Sequence, residues 1–244
     1  MKTLILIPSR LSATRLPGKP LLKINGLSII SHVVRKAKEA NIGEVIVAAE
    51  DQEIIDDVEN NGGKAILTSN EHKTGTDRIY EVLQKLNVSN IDFVMNLQGD
   101  EPLINIDDIK NLDFQMKKNI SELGTLACKI SDKELFEKQS VVKVITKEDL
   151  NISNFPEALN FSRKILDQNQ NIYHHLGVYC YQLETLKKFV SYSQSDNEIR
   201  NSLEQMRALD NNIKINVALA KDSTIGIDTE DDFVAIKKIM EYKS

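Results

Sequence analysis

The chain has 244 residues, 41% of them hydrophobic and 27% charged, with a formal net charge of −5. That length suits one large domain with a core of its own, and the acidic balance gives nucleic-acid binding no bulk electrostatic support. Two cysteines far apart in apolar runs, Cys128 and Cys180, with no CxxC pair, speak against a disulfide framework or zinc site and read as buried free thiols.

The first segment, "MKTLILIPSR", has a five-residue apolar run that stops at Pro8. This is too short for the apolar region of a signal peptide. No stretch approaches the length of a membrane span, so a soluble, cytoplasmic protein is expected. Residues 3–8 read as a buried strand. Apolar positions at 29, 30, 33, 34 and 37 make 27–41 a helix, and "EVIVAA" (44–49) is a second buried strand. Helix 51–63 has an acidic first turn and a glycine stop, followed by a short strand at 64–68. A helix at 74–87 leads to a fourth strand at 92–98. Strands alternating with helices predict βαβ crossovers and a mostly parallel sheet. The rhythm then changes to strands at 123–130, 141–146, 157–163 and 174–182 with irregular connections. Helices at about 183–191 and 197–210, a strand at 213–220 and a helix at 229–242 complete the chain. The fold expected is α/β over a single domain, 1–244, with a mixed C-terminal half for dimer and substrate surfaces.

Residues 1–38 hold eight Lys or Arg and no acid, a local cationic site in an acidic protein. Such a site points to a small anionic ligand. Three of these cations lie in "PSRLSATRLPGKP" (8–20), beyond the first strand, where open parallel sheets bind ligands. The loop is neither a dinucleotide fingerprint nor a Walker loop: it has no G-x-G-x-x-G, Ala13 replaces the earlier glycine, and Pro20 replaces the Ser or Thr. Phosphate would therefore be held by Arg10, Arg15 and Lys19 rather than by a nest of amides.

"NLQGDEP" (96–102) ends the fourth strand, so Asp100 faces the same end of the sheet. In "GIDTEDDF" (226–233), Thr229 and Asp232 read as a helix cap with its reciprocal partner, which leaves Asp228 over. Mg²⁺ takes one or two carboxylates and completes its shell with phosphates and water. Asp100 and Asp228 are thus candidate metal ligands, and with the cations they outline a nucleotidyl-transfer site. His174 and His175 are adjacent on a strand and point to opposite faces, so they do not form a metal pair.

In order along nearly the whole chain, "IPSRLSATRLPGKPLLKINGLSIISHV", "HKTGTDR", "NLQGDEPLI", "VVKVI", "FSR", "HHLGVYCY", "LEQMRAL" and "GIDTEDD" resemble the CMP-Kdo synthetases, the 3-deoxy-manno-octulosonate cytidylyltransferases. The resemblance implies a Rossmann-like nucleotidyltransferase fold, a homodimer, and conversion of CTP and Kdo to CMP-Kdo and pyrophosphate for lipopolysaccharide synthesis. It also implies that Arg10, Arg15 and Lys19 hold the triphosphate, and that Pro8, Ser9, Thr74, Gly75 and Arg78 line the cytidine side. Gln98, Arg163, His175, Glu204 and Gln205 would contact the sugar acid, Arg163 pairing with its carboxylate. Asp100 and Asp228 would bind Mg²⁺, with Arg10 and Lys19 completing the catalytic set.

The chain departs from the family pattern at His174, Asn160 and Asn201, where a cation, an aromatic and an acid are usual, and in a shortened segment at 164–172. All four departures lie in the sugar half. A related ulosonic acid, such as 8-amino-Kdo, therefore stands as the alternative substrate.

Overall fold

The computed structural model describes all residues except 13–14, 87–89, 131–136, 165–170, 224–225 and 243–244. The chain packs as two compact units. The first comprises Lys2–Ile91, Met95–Ile106 and Thr224–Ser244, and the second Met1, Asp92–Val94 and Asp107–Ser223.

In the first unit, β1 (Thr3–Ser9) runs parallel to β4 (Gly43–Ala49), in register from Thr3 opposite Gly43 to Ser9 opposite Ala49. β4 runs parallel to β5 (Ala65–Leu67). Ile5, Leu6 and Ile7 are fully buried, because helices cover both faces of a parallel sheet and a continuous apolar run is what such a strand requires. A hairpin of β2 (Lys23–Ile24) and β3 (Leu27–Ser28) precedes α1. Its turn residues Asn25 and Gly26 have φ of 49° and 79°, the left-handed pair that a two-residue hairpin turn needs. α1 (Ile29–Ala40) starts at Ser28, whose side chain accepts the Ser31 amide, and stops at left-handed Asn41. α2 (Gln52–Asn60) and α3 (Gly75–Leu86) each bury one apolar stripe, as amphipathic helices do. α8 (Glu230–Tyr242) buries only Ile236. That residue packs with Leu16, Ile24, Ile29 and Ile227 in a small cluster.

β6 (Phe93–Asn96) is shared, its first two residues counting with the second unit and its last two with the first.

In the second unit, β7 (Leu123–Cys128) pairs parallel with β11 (Ile215–Leu219) and antiparallel with β10 (Ile172–Gln182). β10 is antiparallel to β8 (Lys143–Thr146), and β8 to β9 (Ala158–Ser162). A register shift between Leu176 and Tyr179 interrupts β10. α4 (Ile106–Asn119) buries Ile109, Leu112 and Met116. It is an element that the reading of the sequence omitted, although its apolar spacing is helical. The single helix expected at 197–210 is two, α6 (Asp196–Asn201) and α7 (Met206–Asp210), because Ser202 turns left-handed with φ of 50°. They follow α5 (Leu183–Ser191).

Cys128 and Cys180 are buried and unpaired with each other. Burial, then the nearby Asp108 and Asp222, pushes the Cys128 thiol up to about 11. Burial raises that of Cys180 as well. Both thiols are held protonated and unreactive, as structural cysteines are.

Candidate active site

The carboxyl end of β1 opens into a cleft of about 390 Å³ that lies wholly in the first unit. Pro8, Ser9, Arg10, Arg15, Lys19, Thr74, Gly75, Arg78, Gln98, Asp100 and Asp228 all line it. Eleven residues chosen from four separate stretches of sequence thus meet in one cavity. Gly75 admits this closeness: a Cβ there would lie 3.1 Å from Pro8 Cγ, and one at Gly99 would lie 3.0 Å from the Pro8 carbonyl oxygen.

No acid neighbours the loop cations in sequence, and the fold supplies acids from far along the chain. Gly18, at φ +70°, starts the short helical turn Lys19–Leu21. From it the Lys19 ammonium reaches Asp100 Oδ2 at 2.6 Å and Asp228 Oδ1 at 3.3 Å. Arg15 Nη2 lies 2.9 Å from Asp228 Oδ2. The Ile227 amide donates to the Asp100 carbonyl at 2.9 Å and draws the two acidic segments together. Asp232 accepts the Asp228 and Thr229 amides while its own amide donates to Thr229 Oγ1. This is the reciprocal cap read from the sequence, and it leaves Asp228's carboxylate to the cleft.

Two carboxylates that share one ammonium are spaced to share another cation. Among the described residues no group of three or more His, Cys, Asp or Glu side chains could hold a metal ion. A two-carboxylate site of this kind suits Mg²⁺ that takes its remaining ligands from phosphate and water. The residues therefore fit the metal that the sequence implied.

Several lining groups carry structural duties. Arg78 is almost wholly buried, pairs with Glu50, and donates to Thr68 Oγ1 at 2.8 Å and the Ser69 carbonyl at 3.1 Å. Thr74 Oγ1 accepts the Asp77 amide at 3.2 Å and donates to the Asp77 carboxylate at 2.8 Å, capping α3. His72 pairs with Glu81. Burial raises Glu81's pKa, but hydrogen bonds from Lys85, His72 and the Ser69 amide outweigh it and bring it down to about 2. Ser9 differs: its hydroxyl is buried with no protein partner among the described residues. An orphan donor lining a cleft is what a ligand would satisfy.

The remaining expected residues lie in the second unit. Arg163, just past β9, donates to the carbonyls of Asn201, Gln139, Ser140 and Ser202 at 3.3 to 3.4 Å. Among the described residues no carboxylate pairs with it. Beside it Lys143, which the sequence reading did not single out, donates to the carbonyls of Lys138 at 2.7 Å and Arg163 at 3.3 Å. Burial, then Arg163's charge, lowers the Lys143 pKa. A lysine inside the apolar strand "VVKVI" was the signal that could have found it.

His175 is buried, its ring 5.0 Å from that of Phe161 and 5.5 Å from that of Tyr179. Its Nε2 lies 3.0 Å from Thr125 Oγ1, which donates to the Val178 carbonyl at 2.8 Å. With the hydroxyl proton committed there, His175 is the donor, and its Nε2 carries the proton. Burial, then the neighbouring His174, pushes its pKa down to about 3, so the ring is neutral at physiological pH.

Glu204 and Gln205 sit in the turn between α6 and α7. That turn is fixed by Arg207, which grips Glu198 through two bonds of 2.8 and 2.6 Å and lies 4.6 Å from the Phe189 ring. Gln205 Nε2 is buried without a protein partner among the described residues. Glu204 contributes to raising the Tyr179 pKa, behind burial and Tyr181. Arg163 reaches the Asn201 and Ser202 carbonyls, just before the turn that carries Glu204 and Gln205.

Of the four departures, Asn160 accepts the Phe161 amide at 2.8 Å and Asn201 donates to the Asn197 carbonyl at 2.8 Å. Both side chains serve local backbone. His174 is half-buried with its pKa lowered, mainly by burial and then by Lys143. Residues 165–170 of the shortened segment lie outside the described residues.

The family described as cytidylyltransferase matches residues 4–215. The chain is 41% identical, over the full length of both, to a protein of Thermodesulfovibrio yellowstonii named 3-deoxy-manno-octulosonate cytidylyltransferase. It is 39% identical to one of the same name from Nitrobacter winogradskyi, over 98% of this chain and 94% of that one. A solved structure described as CMP:2-keto-3-deoxy-manno-octonic acid synthetase complexed with CTP superposes with a TM-score of 0.90 at 34% identity, covering all of both chains.

Proposed function

Because the chain belongs to the 3-deoxy-manno-octulosonate cytidylyltransferase family, we propose that it transfers CMP from CTP to the anomeric 2-hydroxyl of Kdo, releases pyrophosphate, and so activates this sugar acid for lipopolysaccharide synthesis. The observation that carries this reading is the convergence of Arg10, Arg15, Lys19, Asp100 and Asp228 on one cleft at the end of β1.

The hydroxyl attacks the α-phosphorus in line as pyrophosphate leaves. Such a transfer asks mainly for positioning and charge stabilisation. Lys19, Arg10 and Arg15 bind the triphosphate, and Lys19 is the movable point charge among them. Asp100 and Asp228 would hold Mg²⁺, which would supply Lewis-acid stabilisation of the phosphate and favour ionisation of the attacking hydroxyl. Ser9 offers its unpartnered hydroxyl to the nucleotide. Arg163, with no carboxylate partner among the described residues, takes the sugar carboxylate. The neutral His175 contributes a hydrogen-bonding surface and no charge.

Kdo is favoured over 8-amino-Kdo because Asn160 and Asn201 turn their side chains to local backbone. These departures then alter the frame and leave the sugar contacts in place. Exposed Leu159 and Ile199 in the second unit support a homodimer, to be checked by light scattering of the eluted protein. Among the described residues no helix is long and apolar enough to cross a membrane; a cytoplasmic location is part of the proposal, to be checked by cell fractionation.

The test is incubation of the purified protein with CTP, Mg²⁺ and Kdo under a pyrophosphate assay, with 8-amino-Kdo in parallel. Pyrophosphate that depends on all three components, with the higher kcat/KM for Kdo, is expected. No release with either sugar acid would defeat the proposal.

A further inference from the structure

We propose that Asp51 and Glu50, the two acids that follow β4, are positioning residues that fix the cationic opening loop in its triphosphate-binding form. The inference rests on the reading of that loop as the triphosphate site.

Asp51 stands at the N-cap of α2 with extended backbone, yet makes no side-chain cap there. An aspartate in that position ordinarily accepts an amide of its own helix. Here Asp51 Oδ2 accepts the Leu11 amide instead, at 2.8 Å and across 40 residues of sequence. A local rule broken in favour of a distant contact is typical of a functional site. Glu50 acts alongside it. One of its carboxylate oxygens accepts the Ser12 hydroxyl at 2.8 Å, and the other takes the buried Arg78. The Glu50 amide donates to the Ser9 carbonyl at 3.3 Å.

Three of four successive residues, Ser9, Leu11 and Ser12, are thereby tied to two acids just past the neighbouring strand. The Gly18 amide closes the loop on the Leu11 carbonyl at 3.1 Å. Arg10, between two tethered residues, is held facing the cleft by this arrangement. The acids touch no phosphate site themselves; they act through the backbone that carries Arg10.

The experiment uses the full chain and two ligands, CTP and inorganic tripolyphosphate, with affinities from calorimetry and kinetics with Kdo. Asp51→Ala should weaken both ligands about tenfold, near the upper worth of one hydrogen bond. It should raise KM for CTP by the same factor and leave kcat and KM for Kdo within about twofold. Asp51→Asn, whose amide oxygen still accepts the Leu11 amide, should return both affinities to near the parent's. A merely structural role for Asp51 would shift thermal stability without this split between KM and kcat. Parent-like affinity in Asp51→Ala, or an Asp51→Asn variant as weak as Asp51→Ala, overturns the proposal.

If Asp51→Ala does not fold, the exposed Ser12→Ala decides. A rise of about threefold in the CTP dissociation constant supports the tether, and no change overturns it. Failure of the parent to bind CTP at all would strike the proposed function, which separates the two readings.

Discussion

His175 offers a direct measure of how dry its surroundings are. It is 7% exposed, and its pKa is pushed from an ordinary 6.5 down to about 3 by burial first and by His174 second. As pH falls below 6.5 the unfolded chain takes up a proton that the folded chain refuses until about 3. In that window the unfolded state binds more protons, so the stability present above 6.5 is lost on acidification. The slope approaches about 1.4 kcal/mol per pH unit, and integration from pH 7 to pH 5 gives a loss of about 2 kcal/mol from this one ring. His175→Gln keeps an N–H for Thr125 and has nothing to titrate. Urea unfolding at both pH values should show the parent losing about 2 kcal/mol more than the variant. His174, whose pKa is lowered mainly by burial, remains in both proteins and cancels. Equal losses would refute the reasoning and return His175 as a possible cation for the sugar carboxylate. A neutral ring, by contrast, leaves that charge to Arg163.

Three further outcomes are expected. Lys19→Ala should weaken CTP binding by about 1.5–3 kcal/mol, the worth of a charge-assisted hydrogen bond, as read by titration calorimetry. Asp100→Asn and Asp228→Asn should each nearly abolish transfer with little change in Tm, since their side chains are 30% and 47% exposed, and EDTA should silence the parent in the pyrophosphate assay. Arg207→Ala should cost about 3–5 kcal/mol of stability by stranding the buried Glu198, whereas Arg207→Met with Glu198→Leu should recover most of it; chemical denaturation checks both.

The parallel strands were legible because a buried strand needs an unbroken apolar run, and "TLILI" and "EVIVAA" are such runs. The hairpin before α1 carried an Asn-Gly signal that went unread, and α4 carried apolar residues at 106, 109, 112 and 116. Both were available in principle. The break between α6 and α7 was not, because a left-handed serine with neither glycine nor proline beside it leaves no mark in the local sequence. In the cleft, the cations and Asp100 were legible from residue type and from their places beyond strand ends, and Asp228 as the acid left over by the Thr229–Asp232 cap. Their pairing was not, since Lys19 meets Asp100 and Asp228 across 81 and 209 residues. Asp51 was equally hidden: it looks like an ordinary acidic helix start, and only the fold shows its carboxylate turned to Leu11.

The scarcity of glycine in the opening loop follows from how the loop binds. A loop that wraps phosphate with its own amides needs glycine wherever the backbone must bend toward the anion. A loop that binds through arginine and lysine side chains has no such need, but it acquires a different one. Long cationic side chains are mobile, and holding a mobile charge in place to bind its anion costs conformational entropy. The backbone beneath them must therefore be held from outside. Leu16 does this by burying itself with Ile24, Ile29, Ile227 and Ile236. Gly18, the loop's one glycine, turns the chain so that Lys19 faces Asp100 and Asp228. Asp51 and Glu50 hold the other end. The work that glycines do within a phosphate loop is done here by apolar and acidic anchors around it. Weakening an anchor should therefore affect nucleotide binding before it affects the fold.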